Sequence, residues 1–204
     1  KAMQFLEADD TSSALTFIEG AVINDGSNLL AWYLLAKINL ELSNVQSSIS
    51  AANQALELKT NNLNEYKNRL LYIRGLGLLS SGQFPQAEHD LLQAAKLSKI
   101  NKDWLYYAYT QSILGKLKQR QGHNEDAANR LASALEYQEL LNCPMGIAQG
   151  HLDFAEFHLK NNELALAQQR FDIAKKLVEQ KELNQVIPLL THIKTLFEPS
   201  NKQP

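Results

Sequence analysis

Few side chains in this sequence are placed to do chemistry, and each set fits a plainer role. His151 and His158 lie seven residues apart, two turns on one helix face, with Asp153 and Glu156 between them. Imidazoles and carboxylates are the donors of a zinc site, yet such a site needs three or four convergent ligands. Two histidines at this spacing suit ring packing between helices, and His89, His123 and His192 are scattered with no partner in the pattern. Cys143, in the stretch Asn142–Gly146, is the single cysteine, which excludes an internal disulfide and a cysteine-rich metal centre. A nucleophilic thiol needs a basic neighbour to lower its pKa, and none stands out beside it. The run Gly75–Gly82 (GLGLLSSG) has glycines but neither the spacing nor the Lys-Ser/Thr of a phosphate loop, and it falls within a helical pattern. A Gly-x-Ser-x-Gly elbow and a His-Glu-x-x-His pattern are both absent from the sequence. The reading is therefore no catalytic residue, no metal site and no cofactor.

The elements that carry these residues come from an internal repeat. Small residues recur at Ala2, Ala36, Gly75, Gly115 and Ala155; at Ala14, Ser48, Ala87, Ala127 and Ala167; and at Ala21, Ala55, Ala94, Ala134 and Ala174. A bulkier set runs Ile18, Ala52, Leu91, Leu131 and Phe171, and in all four sets the successive spacings are 34, 39, 40 and 40. Four sets sharing one irregular spacing define a register. Within each period a polar or glycine-containing break separates two segments with apolar residues at i, i+3, i+4 and i+7, the pattern of amphipathic helices. Gly82 and Gly122 fall just past helix ends, where a left-handed residue is favoured, and Pro85 and Pro144 fall at helix starts. The pattern predicts eleven helices, over 1–8, 12–24, 28–42, 45–58, 62–81, 84–99, 102–121, 124–141, 144–161, 164–181 and 183–197. A helical hairpin has too large an apolar face to hide alone, so neighbours stack, and the small positions mark where two helices of a hairpin cross. The fold class is all-α, a right-handed α-solenoid of helix-turn-helix repeats in one array over 1–204. It comprises a half repeat (1–24), repeats at 28–58, 62–99, 102–141 and 144–181, and a capping helix (183–197) with Val186, Ile187, Leu190, Ile193 and Phe197 on its apolar face.

Composition agrees with a packed chain that carries no strong field. Apolar residues are 45%, charged residues 21%, and the formal net charge is −2. That balance offers no basic surface for nucleic acid, and no apolar run approaches the roughly 20 residues that span a bilayer. A lone cysteine is compatible with the cytoplasm, with the periplasmic part of a membrane-anchored regulator as the alternative. A chain that opens at Lys1, with its first helix cut through there and an apolar face of Phe5 and Leu6 left bare, reads as a piece of a longer protein whose array continues upstream. The exposed end would then be available for self-association.

Trp32, Leu35, Ala36, Ser48, Ala52 and Ala55, with the segments Gly82–Leu97 and Gly122–Tyr137, resemble the tetratricopeptide-repeat family over nearly the whole chain. Arg74 stands where that family usually has Leu, and Gln111 and His151 replace its aromatic. Repeats of about 40 residues are similar to those of bacterial signalling proteins, including regulators that join such an array to a DNA-binding domain. The resemblance implies a concave groove lined by first helices. By register its residues include Tyr33, Lys37, Arg69, Tyr72, Tyr109, Lys116, Arg120 and Lys160, with Glu41 and Glu156 as the two acids. Tyrosines and surplus cations suit a protein or peptide segment with acidic and apolar anchors. The implied function is a non-catalytic protein-binding scaffold, as the sensor or effector-binding array of a bacterial regulator. The alternatives are an assembly or secretion adaptor and a small-molecule-sensing accessory domain.

Overall fold

The structure, a computed structural model, describes residues 11–197. Among them are ten α-helices: α1 (Thr11–Asn24), α2 (Leu29–Glu41), α3 (Val45–Glu57), α4 (Leu63–Ser80), α5 (Phe84–Ile100), α6 (Trp104–Arg120), α7 (Asn124–Leu140), α8 (Pro144–Lys160), α9 (Leu164–Lys181) and α10 (Ile187–Phe197). A 3-10 turn at Asn184–Val186 precedes α10, and the described residues contain no strand. The fold is all-α, of helix-turn-helix repeats. The helix expected over 1–8, with Ala2, Phe5 and Leu6, lies outside the described residues.

Helix ends follow from one local device. Ser43, Gly82, Lys102, Gly122, Asn142, Asn162 and Glu182 all have positive φ, between 48° and 80°. After each, the next N–H donates back to the carbonyl five residues earlier, as in Asn44 to Asn39 (2.8 Å), Gln83 to Leu78 (2.9 Å) and His123 to Lys118 (2.9 Å). This is the six-to-one closure that satisfies orphaned carbonyls at a helix end. Gly82 and Gly122 adopt the left-handed conformation expected of them, with φ of 73° and 80°.

The chain divides into two compact units, residues 1–106 and 107–204. In the first, α1 packs on α2, α2 on α3, α3 on α4 and α4 on α5, and α2 also reaches α4. Its core joins Ile18, Leu29, Tyr33, Leu35, Ile38, Leu70 and Ile73 around fully buried Ala36, Ala52 and Ala55. In the second, α8 packs on α7, α9 and α10, with one cluster around Leu131, Leu135, Phe154 and Phe157 and another around Leu152, Phe171, Val178, Val186 and Ile193.

The small register positions lie at crossings. A Cβ added to Gly75 would stand 2.9 Å from Leu91 Cγ, and one added to Gly115 would stand 2.9 Å from Leu131 Cγ and Cδ2. The same sixteen-residue relation recurs 40 residues on, so the register describes a real contact. The capping helix departs from expectation at one residue. Val186 and Ile193 are fully buried and Phe197 meets Phe171 at 5.4 Å, but Ile187 is 45% exposed. The 3-10 turn shifts the helical phase, so the buried face runs through 186, 190, 193 and 197 and leaves Ile187 beside it.

Candidate functional site

In the first unit, the expected groove residues Tyr33 and Lys37 stand on α2, and Arg69 and Tyr72 on α4. Tyr33 is only 7% exposed. Its hydroxyl lies 2.9 Å from that of Tyr106, in the first turn of α6, and its ring is 5.4 Å from Tyr66. Tyr72 meets Tyr106 edge-on at 5.5 Å, and the Arg69 guanidinium sits 5.1 Å over the same ring. Arg69 Nε donates to Asp103 Oδ2 at 2.8 Å, and buried Asn68 donates to that carboxylate (3.0 Å) and to Ser98 Oγ (2.9 Å). Burial, then the neighbouring Tyr33, pushes the Tyr106 phenol far above its ordinary range, so it stays protonated. Lys37 pairs with Glu41 at 3.7 Å, both about half exposed, and such a pair contributes about 1 kcal/mol or less.

Tyr33 and Tyr72 are register equivalents, as are Tyr66 and Tyr106, so the contacts Tyr33–Tyr66 and Tyr72–Tyr106 are two steps of one ladder across first helices. The structure thus brings Tyr33, Arg69 and Tyr72 together around Tyr106, a residue the groove pattern omits.

In the second unit, Tyr109, Lys116 and Arg120 lie on α6 and Lys160 on α8. Lys116 pairs with Asp153, whose side chain is 4% exposed and whose other oxygen accepts from Ser112. Lys160 pairs with Glu156. Burial pushes the Glu156 carboxyl up, but the Lys160 hydrogen bond and the charges of Lys160, Lys116 and His192 outweigh it and hold the group below its usual range. Gln119 donates to the Phe157 carbonyl at 3.0 Å, tying α6 to the last turn of α8. Tyr109 is half-buried, its phenol pushed up by burial and then by nearby Cys143. Arg120 is exposed and makes no ion pair among the described residues. Asp103 and Asp153, which the expected groove residues do not include, pair with Arg69 and Lys116 and cancel much of the surplus positive charge read from the sequence.

The paired histidines are packed. His151 is 7% exposed, with Nδ1 3.4 Å from Arg170 Nη1, and burial followed by that guanidinium lowers its pKa. His158 lies 2.6 Å from Glu163 through Nδ1 and stacks on Phe154. Among the described residues, no cluster of three or more His, Cys, Asp or Glu is placed to hold a metal ion. None of their helices is long and apolar enough to cross a membrane.

The tetratricopeptide-repeat family model matches residues 1–62. No curated protein matches the chain. Among solved structures, the apo form of RapI is similar with a TM-score of 0.78 at 14% identity, over 98% of this chain and 76% of that one. A Rap protein in complex with competence and sporulation factor gives 0.79 at 16% identity, over 94% of this chain and 55% of that one. YrrB, described as a TPR protein with an unusual peptide-binding site, gives 0.58 at 17% identity, over 95% and 88%. With the family match over residues 1–62, these likenesses show that the chain has the fold of a tetratricopeptide-repeat array. With that fold it carries two features that a position-by-position groove pattern misses, the tyrosine ladder and the acids Asp103, partly buried, and Asp153, buried. Tyr106 had a signal, because it repeats Tyr66 at the 40-residue spacing. Asp153 had none, since its role depends on which neighbour its side chain reaches.

Proposed function

We propose that this array is a non-catalytic protein-recognition scaffold, and that it holds a peptide segment with acidic and apolar anchors against the first-helix face of its second unit. The observation that carries the proposal is the face of α6. Tyr109, Lys116 and Arg120 lie seven and eleven residues apart from the first, two and three turns on one side of a single helix. That line is roughly 16 Å long at about 1.5 Å per residue. A half-buried tyrosine held by its surroundings can receive an apolar side chain at little entropic cost. Arg120, unpaired at the far end, is the natural partner of a carboxylate. In the first unit Tyr33, Lys37, Arg69 and Tyr72 form the corresponding face, with the ladder supplying stiffness.

Support for a peptide ligand comes from the Rap complex with its factor and from the YrrB peptide-binding site, and it reaches this chain by likeness of fold. A sensor array of a bacterial regulator, placed in the cytoplasm, is the finer form of the proposal. The test is selection of a random peptide display library against the chain. Enrichment of sequences combining an acidic residue with an aromatic or branched apolar one supports the proposal, and enrichment of basic sequences or of none contradicts it.

A further inference from the structure

A cleft of about 580 Å³ in the first unit lies on the other side of the hairpins, between second helices α3 and α5 and over α4. Its size falls within the range of ordinary ligand pockets. Ile49 and Leu78 form apolar walls, Gln86 stands at the rim, and Arg74, Asp90 and Asn53 form the floor. Three departures from the repeat meet here. Arg74 occupies a position held by Leu35, Leu114 and Phe154 in the other repeats, and Asp90 one held by Ala51, Arg130 and Arg170. Gly77 replaces the large apolar residue found at Ile38, Leu117 and Phe157, and a Cβ there would stand 2.8 Å from Ile49 Cγ1. Ile49 therefore sits down on the Gly77 backbone. One repeat earlier the register-equivalent cleft, about 420 Å³, has Leu35 and Ala51 in place of the charged pair.

The floor is donor-rich but electrically balanced. Arg74 Nε and Nη2 donate to the two Asp90 oxygens at 2.6 and 2.8 Å, and Nη1 donates to Asn53 Oδ1 at 2.8 Å. A guanidinium has five N–H donors, so two remain beyond these three bonds. Asp90, 5% exposed, already cancels the charge, so an anion would compete with it. A buried pair of this kind is a poor source of stability compared with apolar residues of similar size, and apolar residues are what the preceding repeat uses.

We infer that this cleft is a second recognition site, for an uncharged peptide segment of a partner protein that places a carbonyl oxygen on Arg74 and an apolar side chain between Ile49 and Leu78. The site is independent of the first-helix face. The test uses the whole chain and two probes followed by NMR: N-acetyl-leucine methylamide, which is uncharged, and N-acetyl-leucine, which carries a carboxylate. The methylamide is expected to shift the Ile49 and Leu78 methyl and Arg74 Nε–H resonances at millimolar concentration, and the carboxylate is expected to bind no more tightly. Arg74→Leu combined with Asp90→Ala installs the pair of the preceding repeat without stranding a buried charge. It should weaken the methylamide at least about tenfold, the weight of a hydrogen bond to a charged donor. Gln86→Trp, at an exposed rim position, should block the cleft without touching the core, whereas Tyr109→Ala with Arg120→Ala should leave this binding unchanged. Shifts unaltered in the Arg74/Asp90 double variant, tighter binding of the carboxylate, or no shift up to the solubility limit would overturn the inference.

Discussion

The crossing at Gly115 allows a prediction worked from distances. A methyl added there would lie 2.9 Å from Leu131 Cγ and Cδ2 and 3.1 Å from the Ala127 carbonyl oxygen. Leu131 is 2% exposed and cannot swing away, and the carbonyl belongs to the backbone of α7. Gly to Ala inside a helix ordinarily gains about 1 kcal/mol, whereas overpacking a core costs about 1–3 kcal/mol. Gly115→Ala should therefore be destabilising by about 1 kcal/mol, and Gly115→Leu by considerably more. Leu131→Ala alone should cost about 2–5 kcal/mol as a cavity. In the double variant the added methyl enters the space the leucine vacates, recreating the fully buried Ala36 and Ala52 of an earlier hairpin. The two changes should couple favourably by about 1–3 kcal/mol in a double-mutant cycle of urea unfolding. Gly75→Ala, whose nearest backbone atom is the Ala87 oxygen at 3.5 Å, should cost less than Gly115→Ala. Additivity within about 0.5 kcal/mol would refute the claim that these positions are steric crossings.

Arg74→Leu alone should lower stability by about 3–5 kcal/mol, because Asp90 is left buried and charged, while adding Asp90→Ala should restore most of it in the same unfolding assay. Failure of the second change to rescue the first would mean the pair itself holds the repeat. His151 has a folded pKa below its unfolded value near 6.5 through burial and Arg170, so its contribution is fully present above that pH and is lost as pH falls toward the folded pKa. His151→Gln, copying Gln111, which accepts from Arg130 Nη1 at 3.1 Å, should flatten the change in urea midpoint between pH 7.5 and 5.0, and an equal change in both proteins would contradict the assignment.

What could be read from the sequence was what packing size selects. Helix positions and crossing residues follow from the register because only Gly, Ala or Ser fits where helices touch, and nine of the ten described helices begin and end within two residues of expectation. The Arg74–Asp90 pair was legible in principle, since its separation of sixteen equals that of Gly75–Leu91 and Gly115–Leu131. Asp103 and Asp153 were not, because a carboxylate outside the groove pattern can turn toward solvent or toward a cation, and only side-chain geometry decides. Ile187 was misplaced for a similar reason: a 3-10 turn changes helical phase without leaving a mark in apolar spacing.

Recognition through the first-helix face of the second unit can be tested by a single titration. A peptide enriched from the display library is titrated calorimetrically into the native chain and into Tyr109→Ala/Arg120→Ala, with helical circular dichroism confirming that both are folded. An aromatic anchor is worth about 2 kcal/mol or more and an exposed charge about 1 kcal/mol or less. Affinity should be lower by roughly a hundredfold in the variant, and native binding should weaken with salt as the Arg120 share is screened over about 10 Å at 0.1 M. Unchanged affinity in the folded variant would contradict it and would move recognition to another surface.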